Sequence, residues 1–236
     1  MHSLSSRHRQ RELMDEPGLA SLEHERALDG LRRVNRLSGS SGLLWRAMRG
    51  LAEERRGAGL RVLDVASGGG DVALGVARRA ARAGIELTID GCDISPTAVD
   101  HAQRQAALGG CGHLRFFQLD VLRDPLPEGY EIVICSLFLH HLSDDEAVGL
   151  LGNMSAAARV LVLVDDLRRS RLGYALAWLG CRLLTRSRIV HVDGPRSVAA
   201  AFTSAEALRL AQTAGLTGAT ISHHWPQRFL MRWRRA

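Results

Sequence analysis

The chain has 236 residues, 46% of them apolar and 24% charged, which is a globular composition and excludes a disordered one. Its formal net charge is +6 and its pI about 10.0, a balance that suits nucleic acid or anionic membranes. Every Lys/Arg position is arginine and lysine is absent, so we read the charge as an arginine-rich surface rather than a nucleic-acid footprint.

The start, residues 1 to about 16, is polar and charged. It has no apolar core of a secretory signal and is read as mobile or loosely docked. "DEPGLASLEHERALDGLRRVNRLSG" predicts a helix, with Pro17 in its first turn and Asp15 and Glu16 at its positive end. Leu19, Leu22, Leu28, Leu31 and Val34 give it one apolar face, and Ser38-Gly39 a stop. "LLWRAMRGLAEERR" is a second helix.

From residue 60 strands alternate with helices. "LRVLDVA", "IELTIDGCDI", "LRFFQLDV", "YEIVICSLFL" and "RVLVLVDD" read as strands, the last apolar enough for a central position. "DVALGVARRAARAG" reads as a helix stopped by Gly84. "SPTAVDHAQRQAAL" is a helix capped by Ser95, and "SDDEAVGLLGNMSAAA" one capped by Ser143. After Asp166 the stretch 167–203 predicts one helix and a loop. "SAEALRLAQTAG" is a helix capped by Ser204, and two strands around Pro226 form a final hairpin. The alternation predicts an α/β fold with a mostly parallel sheet.

We expect one domain over 1–236: a helical N-terminal extension (1–58), a core (59–166), an insertion (167–203) and a C-terminal helix and hairpin (204–236). Cys92, Cys111, Cys135 and Cys181 form no CxxC pair and read as buried free thiols. No apolar run approaches the ~18 residues of a membrane span, and a cytoplasmic protein is expected.

In open α/β sheets ligands sit beyond the carboxyl ends of the strands. The first strand ends in Asp64 and runs into Ala66-Ser67-Gly68-Gly69-Gly70-Asp71. Glycine there lets backbone approach a ligand. The second strand ends in Asp93, placed to accept from ribose hydroxyls, and the third in Asp120, placed to accept from an adenine amino group. Three acids and a loop that is not G-x-G-x-x-G fit a ligand carrying an ammonium and a sulfonium better than a pyrophosphate.

With these three strand ends and a fourth, "ICSLFLHHL", in order, the sequence resembles the class I S-adenosylmethionine-dependent methyltransferases over about residues 60 to 166. "VLDVASGGGD", "GCDIS", "QLDV" and "YEIVICSLFLHHL" carry the resemblance. It implies a Rossmann-like, doubly wound, seven-stranded, mostly parallel sheet with a C-terminal antiparallel hairpin, binding S-adenosyl-L-methionine and releasing S-adenosyl-L-homocysteine. The loop is similar to that of the ubiquinone and menaquinone biosynthesis methyltransferases. "SLFLHHL" stands where those enzymes carry an Arg-Asn signature, so the resemblance does not by itself assign their quinone acceptor. "RQRELMD" and "RRSRLGYALAWLG" resemble stand-alone bacterial enzymes that methylate phenolic or polyketide-like metabolites.

The resemblance implies that Ala66, Ser67, Gly68 and Gly70 line the methionine and ribose part of the cofactor and Asp64 faces its ammonium. Asp93 would bind the ribose, Ile94 pack on adenine, and Asp120 with the Val121 amide read the adenine edge. Ser136 and Leu137 would lie near the amino-acid end. For Asp71 helix capping is the plainer reading. A phenol acceptor needs a base, for which His140 and His141 are placed after the fourth strand, with His191, His223 and His224 as further candidates.

The implied activity is methylation of a small hydroxylated aromatic, quinol or polyketide-like metabolite, O-methylation before C-methylation, in secondary metabolism. No metal is implied, no nucleic-acid partner is expected, and monomer and homodimer are both open. The helix in "RLGYALAWLGCRLL" reads as a lid over the pocket or as a peripheral membrane element. An RNA methyltransferase is the alternative drawn from the pI. It lacks an RNA-binding module and an Asn-Pro-Pro-Tyr type loop. A non-catalytic cofactor-binding protein is the third reading.

Overall fold

A computed structural model describes residues 4–15, 18–55 and 59–235. Seven strands form one sheet: β1 (Leu60–Val65), β2 (Leu87–Asp93), β3 (Arg115–Gln118), β4 (Tyr130–Ser136), β5 (Ala158–Leu167), β6 (Thr220–His224) and β7 (Arg228–Arg234). Their order is β3-β2-β1-β4-β5-β7-β6. The pairs among β1 to β5 are parallel; β7 runs antiparallel to both β5 and β6. β6 and β7 are joined through a cis Trp225–Pro226 bond. This is the doubly wound sheet with a terminal antiparallel hairpin expected from the sequence.

The period-2 alternation of the strands builds two cores. Leu63 and Val65 of β1, Val133 and Cys135 of β4, and Val162 and Val164 of β5 face one side. Leu60, Val62, Ile132, Ile134, Leu161 and Leu163 face the other. Helices α2 (Ser40–Glu54), α3 (Asp71–Arg82) and α4 (Pro96–Leu108) cover the second side. Helices α5 (Asp144–Ala157) and α8 (Ser204–Thr213) cover the first. All four cysteines are buried and unpaired. Among the described residues no helix is long and apolar enough to cross a membrane.

The structure departs from the sequence reading in four places. Helix α1 spans Ser21–Ser38, closed by Gly39 at φ 75° as expected, but begins beyond Pro17, which with Glu16 lies outside the described residues. The insertion holds two helices, α6 (Arg171–Leu184) and α7 (Arg188–Ala200), not a helix and a loop. Gly194 and Pro195 both lie inside α7. There the bare Cα of Gly194 lets α7 pack onto the Cys181 side chain of α6, and Ser187 caps the helix. The cap of α8 is Thr203 rather than Ser204: its hydroxyl accepts from the Glu206 N–H and Glu206 answers in a capping box.

The fourth departure concerns the N-terminus. Residues 4–15 form a strap that is docked, not loose. The Arg7 guanidinium lies 3.4 Å above the Phe202 ring and donates to Ala200 O, Leu142 O and Asp144. The N–H groups of Leu13 and Met14 donate to the buried Asp193 carboxylate at 2.9 and 3.1 Å. Arg169, buried at the end of β5, donates to Leu4 O and, with two nitrogens, to Glu206 at 3.0 and 2.8 Å.

Burial would raise the Glu206 carboxyl, but Arg169 and the Thr203 cap outweigh it and hold it at about 2. A depressed carboxylate stabilises the fold above its unfolded value and loses that contribution as pH falls. We therefore expect Glu206→Gln to lower the melting temperature at pH 7, with the difference from wild type closing as pH drops from about 4.5 to about 2. Thermal melts across that range measure it.

Candidate active site

At the carboxyl ends of β1 and β4, where the chain winds away in both directions, the sheet opens on a cavity of about 1150 Å³. That volume takes a nucleoside-sized cofactor together with a second small molecule. Three non-glycine residues on its wall hold left-handed backbone, Ala66 at φ 53° after β1, Leu137 at φ 57° after β4 and Gln227 at φ 69° before β7. Such strain persists only where the surroundings over-determine it, and it gathers at working sites.

Asp64 closes β1 and is 1% exposed. Burial pushes its carboxyl well above the usual range, and Asp71 and Asp93 push it further; the Ala73 amide pulls the other way. Neither Asp64 oxygen, nor the buried Ser67 hydroxyl, has a protein hydrogen-bond partner in good geometry, and both residues line the cavity. A buried polar group left in this state costs free energy until a ligand satisfies it. Asp71 is the first residue of α3, not its cap, which is Gly70. Burial raises Asp71 too, against a hydrogen bond from Asn35.

Asp93 shapes the loop. Its Oδ2 accepts from the Gly68 N–H at 2.8 Å and its Oδ1 from the Ser95 N–H at 2.9 Å. Gly68 sits at φ 52°, and a Cβ there would meet nothing within 4 Å, so its bare face is open to a ligand. Ile94 is exposed on the cavity wall and gives it an apolar surface there. Asp120 accepts from the Leu122 N–H at 3.1 Å and lines the cavity beside Val121. Ser136 and Leu137 also line it, held from behind by Asp165, whose carbonyl accepts from the Leu137 N–H at 2.8 Å. Burial would raise Asp165, but His224, its Nε2 3.0 Å away, and Arg228 hold it below the usual range.

Gly70 departs from its expected place. It does not line the cavity. A Cβ there would fall 2.8 Å from Phe116 Cζ and 2.9 Å from the Ala102 Cβ, at φ 73°. It is a packing glycine that seats α3 and α4 against β3. Gly70→Ala is expected to destabilise the fold by about 1–3 kcal/mol, read by urea unfolding, with ligand contacts untouched.

His140 and His141 stand on one turn of 3-10 helix after β4 (Leu139–His141), and both line the cavity. His140 is buried, its Nδ1 2.7 Å from Asp166 Oδ1, while its N–H donates to Asp166 Oδ2 at 3.0 Å. That pairing fixes Nδ1 as the protonated nitrogen and leaves Nε2 a lone pair. Glu12 of the strap comes within 3.8 Å of His140 Nε2 and 3.9 Å of His141 Nε2. Among the described residues these three are the one trio of His, Cys, Asp or Glu side chains close enough to share an ion.

Sequence reasoning missed Glu12, Asp166 and His24, which lines the cavity from α1. It also missed that Leu19, Leu28, Leu31 and Val34 turn the apolar face around α1 into cavity wall. His191, His223 and His224 do not line the cavity. They bond instead to Thr185 O, to the Ser204 hydroxyl and to Asp165.

Residues 62–160 match a family described as a methyltransferase domain. Over that stretch the chain is similar to the class I S-adenosylmethionine-dependent methyltransferases. Its methyltransferase core is 29% identical over 129 residues to a ubiquinone biosynthesis O-methyltransferase of Paracidovorax citrulli, covering 52% of this chain and 50% of that one. It is also 29% identical over 92 residues to the same-named enzyme of Neisseria meningitidis serogroup C, covering 38% and 37%. The chain thus spans about half the length of the first curated relative that it matches. Among solved structures, human N-acetylserotonin methyltransferase with S-adenosylmethionine superposes with TM-score 0.66 at 19% identity, over 92% of this chain and 57% of that one. The S-adenosylmethionine-dependent methyltransferase SibL gives 0.67 at 20%, over 96% and 62%. The site fits such a cofactor on its own terms: the buried Asp64 carboxylate and Ser67 hydroxyl, both on the cavity wall, have no protein hydrogen-bond partner in good geometry and suit the ammonium and carboxylate of an amino acid.

Proposed function

We propose that this methyltransferase transfers a methyl group to the hydroxyl oxygen of a small aromatic, quinol or polyketide-like acceptor. The observation that carries the reading is the Asp166–His140 pair, buried on the wall of the cavity that Asp64 also lines. When bound, the cofactor supplies an electrophilic methyl on a sulfonium. Asp64 receives its ammonium, Ala66, Ser67 and Gly68 line its methionine and ribose part, and Asp93 takes the ribose hydroxyls. Ile94 packs on adenine, whose edge Asp120 and the Val121 amide read. Ser136 and Leu137 border the amino-acid end.

His140 Nε2 takes the acceptor proton while Nδ1–H stays on Asp166, which steadies the imidazolium that results. His141 and Glu12 border the same place and hold the acceptor hydroxyl toward His140. The apolar wall from α1 and α6 excludes water and aligns oxygen, methyl and sulfur. Alignment of that kind is worth several kcal/mol, on the order of 7–11 at most. The test is label transfer from methyl-labelled S-adenosylmethionine to a panel of catechols, hydroquinones and phenolic polyketides. Labelled methyl ether on at least one class is expected; label on RNA alone, or on nothing despite cofactor binding, would refute the reading.

A second reading has one observation behind it, the spacing of Glu12, His140 and His141. Two imidazoles and a carboxylate with an open side are the ligand set of a catalytic zinc-type site, and an ion there would acidify the hydroxyl in place of a base. Dialysis against a chelator decides between them. Unchanged turnover is expected if His140 is the base; turnover lost and restored by added zinc or magnesium would move the role to a metal.

A further inference from the structure

We infer that helix α6 docks this protein on an anionic bilayer surface, with the mouth of the cavity facing the lipid. One side of α6 is absorbed by the fold: Leu176, Ala177, Gly180 and Leu184 line the cavity and Cys181 packs under α7. Leu172, Tyr174 and Trp178 lie outside the cavity, and Leu179 and Leu183 stand at its rim; each of the five is between 39% and 74% exposed. Trp225, on the β6–β7 turn, is 68% exposed. Contiguous large apolar side chains on a surface mark a contact with another phase or molecule.

The charge around the patch selects the partner. From 167 to 192 the sequence has six arginines and no aspartate or glutamate. Arg168 and Arg169 are held by Gln227 and Glu206, but Arg171, Arg182, Arg186 and Arg188 are exposed at the two ends of α6 and the start of α7. Arg182 lies 4.2 Å over the Trp178 ring, so cation and indole present themselves together. Apolar and aromatic side chains interleaved with arginine, with no acid among them, match a layer of acyl chains under anionic headgroups. A second copy of the chain would bring the same arginines against each other and is disfavoured by its charge.

Leu179, Leu183 and Trp225 are both exposed and part of the cavity wall, so the patch and the mouth are continuous. On the methyl-transfer reading this lets an acceptor with an apolar tail enter from the membrane. The docking itself does not rest on that reading, because binding is measured without cofactor or acceptor.

The experiment is flotation of the full chain with phosphatidylcholine vesicles with and without phosphatidylglycerol. The wild type is expected to float with the anionic vesicles and not with the neutral ones. A Leu172→Glu/Trp178→Glu variant, changed at positions outside the cavity, is expected to bind at least tenfold more weakly. Its melting temperature and S-adenosylhomocysteine affinity should match wild type. Absence of wild-type binding to anionic vesicles at low salt would overturn the inference. So would binding that the double variant leaves unchanged, or a solution dimer that the double variant dissociates and that ignores vesicles.

Discussion

Asp64→Asn is expected to bind S-adenosylmethionine about 10- to 100-fold more weakly than wild type, the cost of replacing an ionic partner of a buried ammonium by a neutral one. The same substitution should make the ligand-free protein more stable near neutral pH. Burial, with Asp71 and Asp93 close by, raises the Asp64 carboxyl above its ordinary 3.8. A group raised in the folded state contributes stability below its unfolded value and loses it as pH climbs through the folded value. Ligand-free wild type should therefore weaken relative to Asp64→Asn from mildly acidic to alkaline pH, and the cofactor should cancel the difference by holding the carboxylate charged. Binding then releases a proton. Melting curves with and without S-adenosylhomocysteine at several pH values, on both proteins, give all of these signs. Equal pH profiles for the two ligand-free proteins would sink the assignment.

The second large effect belongs to the base. His140→Ala is expected to lower turnover on the order of 10²–10⁴-fold while leaving cofactor affinity within about twofold, because the ring takes a proton only in the reacting complex. Asp166→Asn should lose turnover of the same order, since an amide cannot steady the imidazolium or fix Nδ1–H. Asp166 also receives the His140 and Leu167 N–H groups at 3.0 and 2.6 Å, so its variant needs a melting curve beside the kinetics. His141→Ala should raise KM for the acceptor more than it lowers kcat, because His141 borders the acceptor without an Asp166 partner. Equal kcat for wild type and His140→Ala would remove His140 from the chemistry.

What the sequence could show follows from which forces are local. Strands β1 to β5 and helices α2 to α5 declare themselves through alternation, caps such as Ser95 and Ser143, and glycine stops. The strand-end logic picked out Asp64, Asp93 and Asp120 as candidates, and all three line the cavity, although β3 ends at Gln118, two residues before Asp120. It should have found Asp166, which closes the last parallel strand in the same way and pairs with His140. Long-range docking was out of reach. Nothing near Glu12 says that Arg7 will seat on Phe202, or that Asp193, 180 residues along, will take the Leu13 N–H. The second helix of the insertion went unread for a related reason: Gly194 makes a close packing contact on α6, and tertiary packing carries α7 through Pro195. Gly70 looked like a ligand contact because the glycine run is uniform in sequence, whereas in the fold Gly68 faces the cavity and Gly70 faces Phe116.

The central claim is that one cavity seats the cofactor's ammonium on Asp64 and points its sulfur toward His140. A crystal structure with S-adenosylhomocysteine tests it most directly. The account predicts the amino nitrogen at hydrogen-bond distance, about 2.7–3.2 Å, from an Asp64 oxygen, the ribose hydroxyls on Asp93, and the sulfur open toward His140 Nε2. An amino group turned away from Asp64, or a sulfur shielded from His140 by the strap, would contradict it.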